Sequence, residues 1–226
     1  MQESERSKSG RSERELKSLK LQKKTSRCML QIEKELWSKG FKNIAGIDEA
    51  GRGPVAGPVV AASVIFPQNI EPFIFKDSKK LTKKQREELF TQIKERALAV
   101  GIGIVDNSVI DRINIYNATK LAMKRAIEDM NHNFDYLITD YVKFDPYPHI
   151  SLKKADEKSL SVAAASIIAK VFRDRIMEEF SKYYPHSFDK HKGYLTELHR
   201  EEIIRYGLTP IHRKSFKIDI QYRLNI

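Results

Sequence analysis

Apolar residues fall into a regular pattern only after Ser26. Cys28, Met29, Ile32, Leu36 and Trp37 recur at helical spacing, and Gly40 supplies the stop. Two strands are expected next, Ile44–Glu49 and Val59–Phe66, separated by the turn Gly51-Arg52-Gly53-Pro54-Val55-Ala56-Gly57. The second strand is apolar at nearly every position, as a strand covered on both faces must be. Thr82-Lys83-Lys84-Gln85 has the form of a capping box, which opens a helix running to about Ala97, and Ala99–Val105 is a third strand.

In the second half, helices and strands alternate. Ile115–Met130 patterns as an amphipathic helix, Tyr136–Asp140 as a short strand and Ser159–Tyr183 as a long helix rich in small residues. A terminal helix is expected over about Thr196–Tyr206. Strands that first run together and then alternate with helices predict an α/β fold. Its mixed sheet would be antiparallel on one side, parallel on the other and flanked by helices, with a helical C-terminal part.

Residues 1–26 break this pattern. They hold eight Lys/Arg, four Asp/Glu and six Ser, with Leu16, Leu19 and Leu21 as the main apolar residues. Too little apolar surface is available there to offset the entropy of ordering, so the segment reads as a mobile basic arm ahead of one domain over residues 27–226. The arm carries +4 of the chain's net +11. A balance that basic points to a polyanionic partner, nucleic acid ahead of an anionic membrane. The hydrophobic share of 41% is enough to fill a core in a chain of 226 residues.

Several chemistries are excluded. Cys28 is the only cysteine, so no internal disulfide and no CxxC-type zinc site can form. No GxSxG nucleophile elbow is present, and the glycine turn lacks the Gly-Lys-Ser/Thr of a phosphate-cradling loop. The N-terminus has no leader-like apolar run. The charge-free stretch that includes Pro54 to Gln68 is shorter than the ~20 residues of a membrane span. A cytoplasmic protein without membrane contact is the expectation.

Against this basic background, acids at strand ends stand out. Asp48 and Glu49 close the first strand, Asp140 closes Tyr136–Asp140, and Asp156 lies just before the long helix. If the two strands are neighbours, four carboxylates meet at one sheet edge. Oxygen donors of this kind suit Mg²⁺ or Mn²⁺, and two such ions about 4 Å apart can activate water and stabilise a phosphodiester's leaving oxygen. Adjacent strand residues face opposite ways, so Asp48 and Glu49 can serve one ion only if the strand ends or bulges there. By spacing alone, the four acids read more readily as ordinary helix caps and turn residues than as a metal cluster.

The segment Ile47-Asp48-Glu49-Ala50-Gly51-Arg52-Gly53-Pro54-Val55-Ala56-Gly57-Pro58 resembles the signature block of ribonuclease HII, the bacterial type 2 ribonuclease H. The resemblance continues through Asp77-Ser78-Lys79-Lys80-Leu81, Asn117-Ala118-Thr119, the run from Ala163 to Val171, and Arg173-Asp174. It closes with His191-Lys192-Gly193-Tyr194 and His212-Arg213-Lys214-Ser215-Phe216, covering roughly residues 28–220.

The resemblance implies a ribonuclease H-like fold and a monomer that cleaves the RNA strand of RNA–DNA hybrids. It also implies cutting on the 5′ side of single ribonucleotides embedded in duplex DNA, leaving 3′-hydroxyl and 5′-phosphate ends. It assigns metal binding and catalysis to Asp48, Glu49, Asp140 and Asp156. Substrate contact goes to Gly51, Arg52 and Gly53, whose backbone would approach the junction sugar and phosphate, and to Tyr194 against the ribonucleotide sugar. Asp174 is expected to be a structural ion-pair member. His191, His199 and His212 are expected to pack or to lie near phosphate.

Two positions depart from the family pattern. Tyr141 and Ala155 stand where glycine is usual, which puts the exact carboxylate placement and the metal preference in question. The related ribonuclease HIII differs at the position of Arg52 and carries a longer N-terminal domain than this arm. Two alternatives compete with the enzyme reading: an inactive nucleic-acid binder and a DNA-only nuclease on the same fold. Retention of all four acids argues against the first. Gly51-Arg52-Gly53 and Tyr194 argue against the second.

Overall fold

Residues 29–71 and 81–219 are described by a computed structural model. The basic arm, Cys28 and the motif residues Asp77 to Lys80 lie outside them. The first helix, α1 (Gln31–Ser38), precedes β1 (Ile44–Ala50) and β2 (Val59–Ile65). Then come α2 (Lys83–Arg96), β3 (Ala99–Val105), α3 (Asn107–Asp129), β4 (Tyr136–Asp140) and β5 (His149–Leu152). A 3₁₀ turn, Ala155–Glu157, leads into α4 (Leu160–Phe180), followed by α5 (Phe188–His191) and α6 (Glu197–Tyr206).

The five strands form one sheet in the order β3-β2-β1-β4-β5. β1, β2 and β3 pair antiparallel, while β1, β4 and β5 run parallel. This is the mixed α/β sheet that the order of elements predicts. β2 is buried at all seven positions because both of its faces are covered. Val60, Ala62 and Val64 join a core with α4 and α2, whereas Val59, Ala61 and Ile65 join one with α3.

Local signals set the helix starts. Thr82 and Gln85 form the full capping box of α2, and Ser159 accepts from the Val162 amide at the start of α4. α3 begins earlier than the apolar period indicates, at Asp106, whose side chain accepts from Val109 N. It is broken at Asn114 (φ 64°), and Asn114 Oδ1 then caps Asn117 N, restarting the helix where the amphipathic pattern begins. β5 and the single-turn α5 are additions to the expected set. All four residues of β5 are half-buried, so no alternation betrays it.

Gly46, two residues before Asp48, lets α4 pack directly on β1. A Cβ there would sit 2.3 Å from the Ser161 carbonyl carbon and the Val162 nitrogen. Backbone cannot yield as a side chain does. Gly46→Ala should therefore cost about 3 kcal/mol by thermal or denaturant unfolding, and a loss under about 0.5 kcal/mol would contradict this packing.

Candidate active site

Pairing between β1 and β4 stops at Ile47↔Thr139, so the next residue on each strand, Asp48 and Asp140, lies at the open end of this parallel pair. On the other side, the ladder to β2 stays regular through Asp48↔Ala62, Glu49↔Ala61 and Ala50↔Val60. The strand neither bulges nor ends between the two acids, contrary to the simplest expectation for a shared site. Their carboxyls still come close enough to hydrogen-bond if one keeps its proton.

The electrostatics record the crowding. Burial pushes the Asp48 carboxyl well above the usual range, the Glu49 charge adds to this, and Asp156 adds less; a hydrogen bond from Ser166 opposes them. Glu49 is also raised, chiefly by burial and in part by Asp140, against the pull of Arg52. Arg52 Nη1 lies 3.2 Å from Glu49 Oε1. Asp140 Oδ1 accepts from Lys154 N at 2.9 Å and Ala155 N at 3.3 Å, which ties the third acid to the turn that carries the fourth.

Oxygen-only donors at this edge match the chemistry of hard divalent cations. Among the described residues, the buried Glu49 Oε2 has no hydrogen-bond partner, which suits an atom that ligates a cation. The set is convergent without being closed: among the described residues, no group of three or more His, Cys, Asp or Glu stands ready to hold an ion. Asp140 is turned toward the 154–155 amides and Glu49 toward Arg52, so binding would require both carboxylates to turn inward.

The departures from glycine have local readings. Tyr141 is 77% exposed and adopts φ 59°, the left-handed region that favours glycine. Ala155 is buried with φ outside that region, and the left-handed residue is its neighbour Lys154 (φ 59°). The turn therefore accepts alanine there without backbone strain.

The glycine loop is fixed from beneath by two buried arginines. Arg213 donates to the carbonyls of Gly51 (2.6 Å), Arg52 (3.1 Å) and Gly57 (2.9 Å). Arg173 donates to those of Pro58 (2.9 Å), Ala56 (3.2 Å) and Lys192 (3.0 Å). Burial lowers Arg213 to about 9 and Arg173 to about 10, so both remain cations at neutral pH. Gly51 (φ 98°) is required, because a Cβ would lie 2.2 Å from Arg173 Nε. Val55 N donates to Gly193 O, joining this loop to the Tyr194 loop. A methyl group placed on Gly53 would lie 3.6 Å from Tyr194 Cε1. Tyr194 is 44% exposed, so its ring is accessible beside Gly53.

All eight expected site residues thus gather around the C-terminal ends of β1 and β4. Asp174 pairs with Lys170 at 2.8 Å, in the structural role expected for it. His191, His199 and His212 are buried and packed together. Ser166, Arg173 and Arg213 are contributors that the sequence pattern conceals. Ser166 lies within the Ala163–Val171 block of the resemblance, which assigns it no role, and is the one hydroxyl of that block. Arg213, within His-Arg-Lys, looks like surface charge. Among the described residues, no helix is long and apolar enough to cross a membrane.

Comparison with known proteins agrees with this fold. A family profile described as Ribonuclease HII matches residues 45–219. A ribonuclease HII from Aquifex aeolicus is 58% identical over 83% of this chain and 96% of its own length. One from a Sulfurihydrogenibium species is 52% identical over 85% of this chain and 98% of its own. The crystal structure of ribonuclease H2 from Pyrococcus horikoshii superposes with a TM-score of 0.65 at 29% identity, covering 77% of this chain and 94% of that one. With a profile matched over most of its length and relatives more than half identical, the chain belongs to the ribonuclease HII family, ribonuclease H hydrolases that depend on divalent metal and act on RNA–DNA hybrids.

Proposed function

We propose that this enzyme cleaves the RNA strand of RNA–DNA hybrids and also cuts 5′ of single ribonucleotides embedded in duplex DNA. The observation that carries the proposal is the meeting of the carboxylate edge with the Gly51–Gly53 backbone and the Tyr194 ring. Asp48, Glu49, Asp140 and Asp156 would hold two Mg²⁺ or Mn²⁺ ions. Ions bound there would supply an activated water and charge stabilisation for the leaving 3′ oxygen.

The protein's own groups do the rest. Ser166 orients the Asp48 carboxyl, and the amides of Lys154 and Ala155 orient Asp140. With its carbonyls bound to Arg173 and Arg213, the glycine loop keeps a fixed backbone against which a sugar-phosphate can lie. Arg52, 47% exposed, is placed to move from Glu49 to a phosphate oxygen. Tyr194 then contacts the ribose and reads its 2′-hydroxyl. The basic arm of residues 1–26 adds affinity for the duplex through phosphate neutralisation.

Activity on an RNA–DNA hybrid should vanish in EDTA and return with Mg²⁺ or Mn²⁺. The products should be extendable by a polymerase, since hydrolysis on this side leaves a 3′-hydroxyl. Undiminished cleavage in EDTA, or cyclic-phosphate ends, would rule out the metal-assisted route.

A further inference from the structure

Of the six histidines, His186, His191, His199 and His212 are buried together beneath the loop that carries Tyr194. Their hydrogen bonds admit one arrangement of protons. Thr209 N can only donate, so His212 Nδ1, 2.9 Å away, must accept. Neutral His212 then carries its hydrogen on Nε2, which faces His199 Nε2 at 3.1 Å. His199 must accept there, so its own hydrogen is on Nδ1, 2.9 Å from the Tyr194 carbonyl oxygen, which can only accept.

The Tyr194 backbone is held on both sides. Its carbonyl also accepts from Thr196 N at 2.8 Å, and its amide donates to His191 O at 2.9 Å. The His191 ring stacks on His199 with centroids 4.0 Å apart. His191 accepts from Gly193 N on Nδ1 and meets Glu202 Oε2 at 3.0 Å through Nε2. Rings serving only to fill space would not need a donor-to-acceptor order running from Thr209 to Tyr194.

We propose that His212 and His199 are positioning residues for Tyr194, forming a neutral, one-directional hydrogen-bond relay that holds its ring beside the Gly53 backbone. This rests on the reading of Tyr194 as the ribose contact. The relay uses the ε nitrogen of His212 as donor and the δ nitrogen of His199 as donor. An Asn amide reproduces a δ donor and a Gln amide an ε donor. His199→Asn should therefore keep the bond to the Tyr194 carbonyl and His212→Gln the bond to His199, the link-keeping pair, whereas His199→Gln and His212→Asn should each lose that bond, the link-breaking pair.

The test is the single-turnover rate on a duplex with one ribonucleotide, beside duplex affinity and thermal unfolding. The link-breaking pair should be about tenfold or more slower than the link-keeping pair, with affinity unchanged. In a Tyr194→Ala background, the difference should disappear. A packing role alone favours Gln at both positions, as the closer match in volume to His, so that order would overturn the proposal. Equal rates, or effects that persist without Tyr194, would also overturn it. Should a link-breaking variant not fold, imidazole ¹⁵N shifts of the unmodified protein decide: an Nδ1-protonated His212 or an Nε2-protonated His199 would refute the relay. If Tyr194→Ala alone cuts at the wild-type rate, the ribose-contact reading fails instead, and the tautomers still report on the relay.

Discussion

Asp48→Asn should lose about a thousandfold or more in cleavage rate while making the metal-free protein more stable. The rate loss follows from the role of the site: several kcal/mol of transition-state stabilisation depend on the ions, and each 1.36 kcal/mol is worth tenfold. The stability gain follows from linkage. In the fold, Asp48 is raised well above its usual value, first by burial and then by Glu49, so the folded state binds its proton more tightly than the unfolded state does. Stability contributed by that proton is present at low pH and lost as pH rises from the ordinary carboxylate value through the folded one. Asparagine has no charge to bury at neutral pH and can donate to Glu49. Thermal unfolding at neutral pH, run beside the cleavage assay, checks both halves. Asp140→Asn, Glu49→Gln and Asp156→Asn should also be nearly inactive. Normal turnover by Asp48→Asn or Asp140→Asn would refute the assigned site.

Tyr194→Ala should slow cutting at a lone ribonucleotide by roughly a hundredfold, with little change in duplex affinity. Both strands of a duplex present the same phosphates, so a net charge of +11 sets general affinity and cannot tell RNA from DNA. The 2′-hydroxyl is the difference, and a site built to hydrogen-bond it leaves polar groups unpaired when it is missing. Tyr194 lies beside Gly53 with its ring accessible, which is where such a contact is needed. Tyr194→Phe separates the hydroxyl from the ring. A rate near wild type for Tyr194→Phe together with a slow Tyr194→Ala would assign the effect to stacking on the sugar. A wild-type rate for Tyr194→Ala would mean that another element reads the ribose.

The sheet was legible because its signals are local. Val59–Phe66 declares double burial residue by residue, and Thr82 and Ser159 announce their helices within four positions. Three of the acids were visible as charges ending apolar strands. Asp156 was harder to place, because its 3₁₀ turn is defined by its bonds to Asp140, fourteen and fifteen residues earlier. What stayed hidden depends on longer reach. Arg213 clamps Gly51 across 162 residues and Arg173 clamps Pro58 across 115, and no periodicity encodes such pairings. The half-buried β5 and the histidine relay are likewise visible only once the chain has folded.

If the carboxylate edge and the loop that carries Tyr194 act as one site at an embedded ribonucleotide, recognition of the sugar and cleavage of the strand must coincide. The most direct measurement is cleavage of two matched DNA duplexes, one with a single ribonucleotide and one with none, with the cut mapped to the nucleotide. The account predicts one cut, on the 5′ side of the ribonucleotide, and no cutting of the all-DNA duplex. Equal cutting of both duplexes, or no cutting of either by an enzyme active on RNA–DNA hybrids, would contradict it.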